Sequence, residues 1–82
     1  MLTIYLDARE FRSAQDVHAV LKLMLYLPDY YGGNADALHD CLSERISPVN
    51  VSLRGQPESD AATALKKVQM VVEDLGGAWK EL

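Results

Sequence analysis

Short apolar blocks with different periods divide this chain into elements. Residues 2–6, Leu2-Thr3-Ile4-Tyr5-Leu6, are apolar, β-branched or aromatic, which predicts a short buried strand ended by Asp7-Ala8-Arg9-Glu10. From Ala14 to Tyr26 the apolar positions Ala14, Val17, Leu21, Met24 and Leu25 recur at helical spacing, with Ser13 available as N-cap and His18 bordering the stripe. Pro28 closes that helix by keeping Leu27 out of helical geometry. After a loop from Pro28 to Gly33, Asn34 is a favoured N-cap whose side chain can accept from the amide of Asp36 or Ala37. The helix it starts carries Ala37, Leu38, Cys41 and Leu42 on one face and Asp36, His39, Asp40 and Ser43 on another. Pro48 marks the end of the connection.

Val49-Asn50-Val51-Ser52-Leu53 alternates apolar and polar residues with the period of a strand, and Gly55, Gln56 and Pro57 turn the chain after it. Asp60 can then cap a third helix with the stripe Ala61, Leu65, Val68, Val72 and Leu75, stopped by Gly76-Gly77. Residues 78–82 supply a last short strand. The order strand, helix, helix, strand, helix, strand predicts a small α/β sheet, because strands separated by such helices pair in parallel.

Composition narrows the picture. A chain of 82 residues makes one domain, residues 1–82, since it buries only about 60–65% of the surface its unfolded form exposes. Hydrophobic residues at 49% and charged residues at 24% describe a globular chain rather than a disordered one. The net charge of -4 disfavours direct binding to nucleic acid, for Lys66, Lys67 and Lys80 are sparse and matched by acids. The N-terminal apolar run stops at Asp7, too early for a signal peptide, and nowhere do 18 apolar residues follow one another as a membrane span requires. The single Cys41 forms no internal disulfide, and with two histidines it is too little for a structural zinc site. A cytoplasmic protein, away from membranes, is expected.

The informative stretch is Leu27 to Leu42. No Lys or Arg lies between Lys22 and Arg45, so Asp29, Asp36, Asp40 and Glu44 have no neutralising neighbour in sequence. Asp36 and Asp40 lie four apart on one side of a helix, where like charges repel by a few tenths of a kcal/mol. Asp36 can be read as a complement to the helix dipole and Asp40 as a solvated surface residue. Equally, a carboxylate on a rigid helix can enter a basic cleft and imitate a phosphate by accepting charge-assisted hydrogen bonds. Of Tyr30 and Tyr31, one is expected to pack beneath the loop and one to serve as an interface anchor. Gly32 and Gly33 read as turn residues with unusual backbone angles. His18 reads as a core-edge histidine with a satisfied hydrogen bond, and Cys41 as a small buried hydrophobe. Asp36-x-x-His39-Asp40 has the composition of a metal or acid–base site, but one exposed helix makes a poor pocket. Met70 falls opposite the apolar stripe of the third helix.

Leu27-Pro28, an acid at 29, Tyr30-Tyr31-Gly32, Asn34, Asp36-Ala37-Leu38 and Asp40-Cys41-Leu42 together form a pattern that resembles the barstar family, intracellular inhibitors of barnase-type ribonucleases. Phe11-Arg12-Ser13, Asp16-Val17-His18 and Leu21-Lys22 are similar in spacing and type, whereas residues 46–82 are similar only in the order of elements. The resemblance implies a three-stranded parallel sheet packed with three main helices, and a monomeric inhibitor rather than an enzyme. It implies that Tyr30 stacks at the active site of a basic extracellular-type ribonuclease, that Asn34 and Asp36 make flanking contacts, and that Asp40 occupies the phosphate-binding site. Gly32, Ala35, His39 and Ser43 complete the expected partner-binding set, which includes no catalytic residue, metal ligand or cofactor. The alternative is an interaction module on the same scaffold with a basic, non-nuclease partner. His39 and Arg45 stand where the type member has tryptophans, and Arg45 brings a positive charge near the expected surface. The type member's second cysteine is absent, and its third-helix acid has no clear equivalent, since Met70 to Val72 are apolar and Glu73 fits only with a shift.

Overall fold

The computed structural model describes residues 2–82; Met1 of the expected 1–82 domain lies outside them. In chain order the elements are β1 (Leu2–Asp7), a single 3-10 turn (Ala8–Glu10), α1 (Ala14–Met24), α2 (Ala35–Ser43), β2 (Val49–Arg54), α3 (Ser59–Asp74) and β3 (Trp79–Glu81). The three strands form one sheet in the order β1-β2-β3, and both pairings are parallel. Ile4 pairs with Val51 and Leu6 with Leu53, while Val51 also faces Trp79. The fold is thus the expected α/β arrangement of a three-stranded parallel sheet and three helices.

The alternation read for Val49–Leu53 holds, and β1, expected as a buried strand, is also two-sided, with Leu2 and Tyr5 exposed. Ile4, Leu6, Val49, Val51 and Leu53 are buried, whereas Thr3, Tyr5, Arg54 and Lys80 are exposed. The buried side chains join α1 through Val17, Leu21 and Leu25, and α3 through Ala61, Leu65, Val68 and Val72, in one cluster. From α2 the cluster receives Leu38, which is fully buried, and Leu42. Each such leucine or valine contributes about 1.5–3 kcal/mol by leaving water. Ala14 and Met24, placed on the α1 stripe by periodicity, are exposed; Ala8 and Phe11, which the periodicity does not mark, are 1% exposed. Phe11 is set inward by the 3-10 turn, whose Ala8 carbonyl accepts from the Phe11 amide at 3.2 Å. Asp7 caps that turn. Its carboxylate accepts from the Arg9 amide and guanidinium at 2.8–3.1 Å, and these bonds lower its pKa to about 2.

The helix boundaries depart from expectation at two points. α1 ends at Met24, two residues early, and Pro28 is not what ends it. Tyr26 adopts a left-handed φ of 53°, and the amides of Tyr26 and Leu27 donate to the carbonyls of Leu23 and Lys22 at 3.4 and 3.0 Å. α3 closes in the same way, with Gly76 at φ 89° and the amides of Gly76 and Gly77 donating to Glu73 and Val72. The left-handed position costs a non-glycine residue about 1–2 kcal/mol, so α1 ends under strain and α3 does not. At its other end α3 starts at Ser59 with Glu58 in the cap position, and Asp60 lies in the first turn rather than capping.

Gly77 is fixed by a close approach. A Cβ there would collide with the Val49 carbonyl oxygen, so glycine lets the chain lie against β2 before β3 begins. The Asn50 side chain accepts from the Ala78 amide at 2.9 Å, and the Val51 amide donates to the Ala78 carbonyl at 2.9 Å. These bonds register β3 onto β2.

Candidate functional site

Residues 28–43 form a ridge, a tight turn followed by α2, whose inner side is locked and whose outer side is open. The Tyr31 amide donates to the Pro28 carbonyl at 3.0 Å, which closes a turn with Asp29 and Tyr30 at its tip. The two tyrosines consequently part. Tyr30 is 82% exposed, while Tyr31 packs against the core with its hydroxyl 2.6 Å from Nδ1 of His18. Burial lowers the His18 pKa and raises that of Tyr31 to about 12, and the nearby Cys41 adds to the latter shift. The neutral forms of both rings are therefore favoured, and either ring can donate in their hydrogen bond according to the histidine tautomer.

Gly33 takes a left-handed φ of 69°, open to a glycine at little cost, and delivers the chain to Asn34. Gly32 needs no such conformation, contrary to the expectation for the pair, and a Cβ there would meet only ordinary contacts with Ala37 and Asn34. The Asn34 side-chain oxygen accepts from the Ala37 amide at 2.8 Å, one of the two partners expected for it. α2 then turns Leu38 and Leu42 inward, with Ala35, Ala37, His39 and Cys41 half-buried along its flanks. Cys41 is thus less enclosed than its place on the apolar face suggested. Asp36, Asp40 and Ser43 are exposed. The carboxylates of Asp36 and Asp40 are one turn apart, about 6 Å along the axis, and neither has a side-chain hydrogen bond or ion pair among the described residues. The Ser43 hydroxyl donates to the Asp40 carbonyl at 2.8 Å. All eight residues expected to contact a partner, Tyr30, Gly32, Asn34, Ala35, Asp36, His39, Asp40 and Ser43, therefore lie along one turn and one helix.

Cations absent from this stretch of sequence approach it in space. Lys22 Nζ lies 3.9 Å from the Asp29 carboxylate. Arg45 places a guanidinium nitrogen 3.5 Å from the Leu25 carbonyl just past the end of α1, where the helix dipole favours a positive charge. Lys67 is the unexpected one. An open groove of about 540 Å³ runs between α2 and α3, with Asn34, Ala35, Asp36 and His39 on its α2 wall. Its α3 wall is made by Lys67, Met70, Val71 and Asp74. The carboxylate that α3 offers beside the ridge is therefore Asp74 and not Glu73. The signal that could have found these residues is the i, i+3, i+7 spacing of Lys67, Met70 and Asp74, which puts them on one face of α3 away from the apolar stripe.

Among the described residues no three His, Cys, Asp or Glu side chains come close enough to hold a metal ion, and no helix is long and apolar enough to cross a membrane. Fold and ridge together define a small parallel α/β protein that presents a loop–helix surface. The chain belongs to the Barstar (barnase inhibitor) family, whose model matches residues 1–82. It is 34% identical over 87 residues to a protein of Bacillus subtilis (strain 168) named "Putative ribonuclease inhibitor YrdF", an alignment covering 98% of this chain and 96% of that relative.

Proposed function

We propose that this chain is a cytoplasmic, monomeric inhibitor of a basic, barnase-type ribonuclease, and not itself an enzyme. In this reading the domain of residues 1–82 plugs the nuclease active site with the Tyr30 turn and the Asp36/Asp40 helix. Tyr30 stacks at the rim, Asp36 pairs with a flanking cation, and Asp40 takes the position of a substrate phosphate. Asn34 spends its oxygen on the helix cap and keeps its amide N–H groups for the partner. Gly32, Ala35, His39 and Ser43 supply close-approach surface around these heads. The carrying observation is that Tyr30, Asp36 and Asp40 stand free on a ridge whose inner residues, Tyr31, Leu38 and Leu42, are fixed in the body. Family membership and the relative's name support the target class.

The test is RNA cleavage by a purified barnase-type ribonuclease at low and physiological salt. The native chain is expected to inhibit, with association slowed by salt because opposite charges steer the encounter. Asp40→Ala is expected to weaken inhibition by at least about 2 kcal/mol, the scale of interface hot spots in general and one to which the barstar family itself contributes. Equal inhibition by Asp40→Ala would refute the phosphate-mimic role. A second reading, a basic partner that is not a nuclease, draws on His39 and on Lys67 in the α2–α3 groove, which change the chemistry of the face. Capture of a basic non-nuclease protein by the native chain but not by an Asp36→Ala, Asp40→Ala variant would favour it.

A further inference from the structure

The groove between α2 and α3 carries chemistry that a purely acidic plug does not require. Lys67, Met70 and Asp74 follow one another at i, i+3 and i+7 along α3, beside Asp36 and His39 of α2. Met70 is 69% exposed. One exposed methionine is ordinary, but this one lies between two charges of opposite sign on the same face of α3. Lys67 and Asp74 have no ion pair or side-chain hydrogen bond among the described residues, and two helical turns, about 10 Å, keep them from neutralising each other. The ridge proper offers only carboxylates at Asp36 and Asp40, so a partner surface that was basic throughout would be attracted there and repelled at Lys67.

We propose that the groove is a second contact region for the partner of the ridge, and that it selects for an apolar partner side chain seated on Met70 with a partner carboxylate facing Lys67. The inference rests on the inhibitor reading and adds to it a sign. The partner is basic opposite α2 and acidic opposite the Lys67 turn of α3. A long thioether side chain suits this seat, because it adapts to the shape of whatever apolar group meets it. Charge of the wrong sign at a specific contact is also how an interface rejects near-relatives of its proper partner.

The experiment measures association and dissociation rates of the native chain with a set of purified barnase-type ribonucleases, and carries forward the one bound most tightly. Lys67→Glu, Lys67→Arg, Met70→Ala and Asp40→Ala are then compared, with thermal melts to show that each is folded. Lys67→Glu is expected to weaken binding about tenfold or more, largely by faster dissociation, while Lys67→Arg retains native affinity and Met70→Ala loses about threefold or more. Unchanged or tighter binding by Lys67→Glu overturns the inference. If Asp40→Ala abolishes binding at the same time, the inhibitor reading survives alone. If the native chain binds no member of the set, both fall together.

Discussion

The ridge and the body on which it sits share local caps but differ in their long-range polar bonds. In the body, beside local bonds at Asp7 and Ser13, two side-chain bonds register one segment onto another: Asn50 ties β2 to the start of β3, and His18 ties α1 to the loop. On the ridge they are spent locally, Asn34 on the Ala37 amide and Ser43 on the Asp40 carbonyl, while the carboxylates of Asp36 and Asp40 have no partner among the described residues. Local bonds fix the backbone without consuming the charged heads, so the ordering entropy of the surface is lost on folding and not again at encounter. The difference teaches that the ridge can be altered at its heads without altering its posture.

The strongest way to break this contrast is to cut the ridge from the body. Leu38→Ala removes a fully buried side chain beneath Asp36 and Asp40 and is expected to cost about 2–5 kcal/mol in urea or thermal unfolding. An Asp40→Ala melt, by contrast, should stay within about 0.5 kcal/mol of the native chain, as for a surface position. Asn34→Ala leaves the Ala37 amide without its acceptor, and about 1 kcal/mol of stability is expected to go with it. Tyr26→Gly should act in the other direction, gaining about 0.5–1 kcal/mol by relieving the left-handed cap of α1.

The smallest effect is the pH dependence of the link between loop and α1. Because the folded-state pKa of His18 is lowered by burial, the stability it contributes is present above its ordinary value of 6.5 and declines as pH falls through and below that value. Tyr31, raised from 10.0 to about 12, contributes fully below 10.0 and loses that contribution as pH rises toward 12. His18→Gln is expected to flatten the acid limb of a stability–pH curve and Tyr31→Phe the alkaline limb. Unchanged limbs would show that these rings do not couple the loop to α1.

Much of this was legible in the sequence, and the failures have definite causes. A run of apolar, β-branched and aromatic residues located β1, period-two spacing located β2 and helical spacing located all three helices, because each buries one face of a regular element. The caps Ser13 and Asn34 were readable because their chemistry is local. The end of α1 was not, since Tyr26 carries no mark of a left-handed residue and Pro28 offered a simpler stop. Nor was Phe11, which reaches the core through an irregular turn with no period. The start of α3 was placed at Asp60 because aspartate is a favoured cap, whereas Glu58 holds that position without a side-chain cap bond. At the ridge, the pattern of residues identified the outward-facing carboxylates and the tyrosine pair, while Lys67 and Asp74 were missed and Met70 was placed only opposite the apolar stripe, because only packing brings α3 beside α2.

The strand order carries a further consequence. Since β1 pairs directly with β2, everything from Ala8 to Pro48, the entire ridge included, belongs to the one connection between neighbouring strands. The pairing of β1 with β2 closes a longer stretch of chain than that of β2 with β3, and it is made late in any folding order that builds local contacts first. Substitutions on the outer ridge therefore leave the register of the sheet untouched, while changes that loosen α1 or α2 slow the closure itself. Selection on the partner and selection on folding rate thus act on interleaved residues of the same segment.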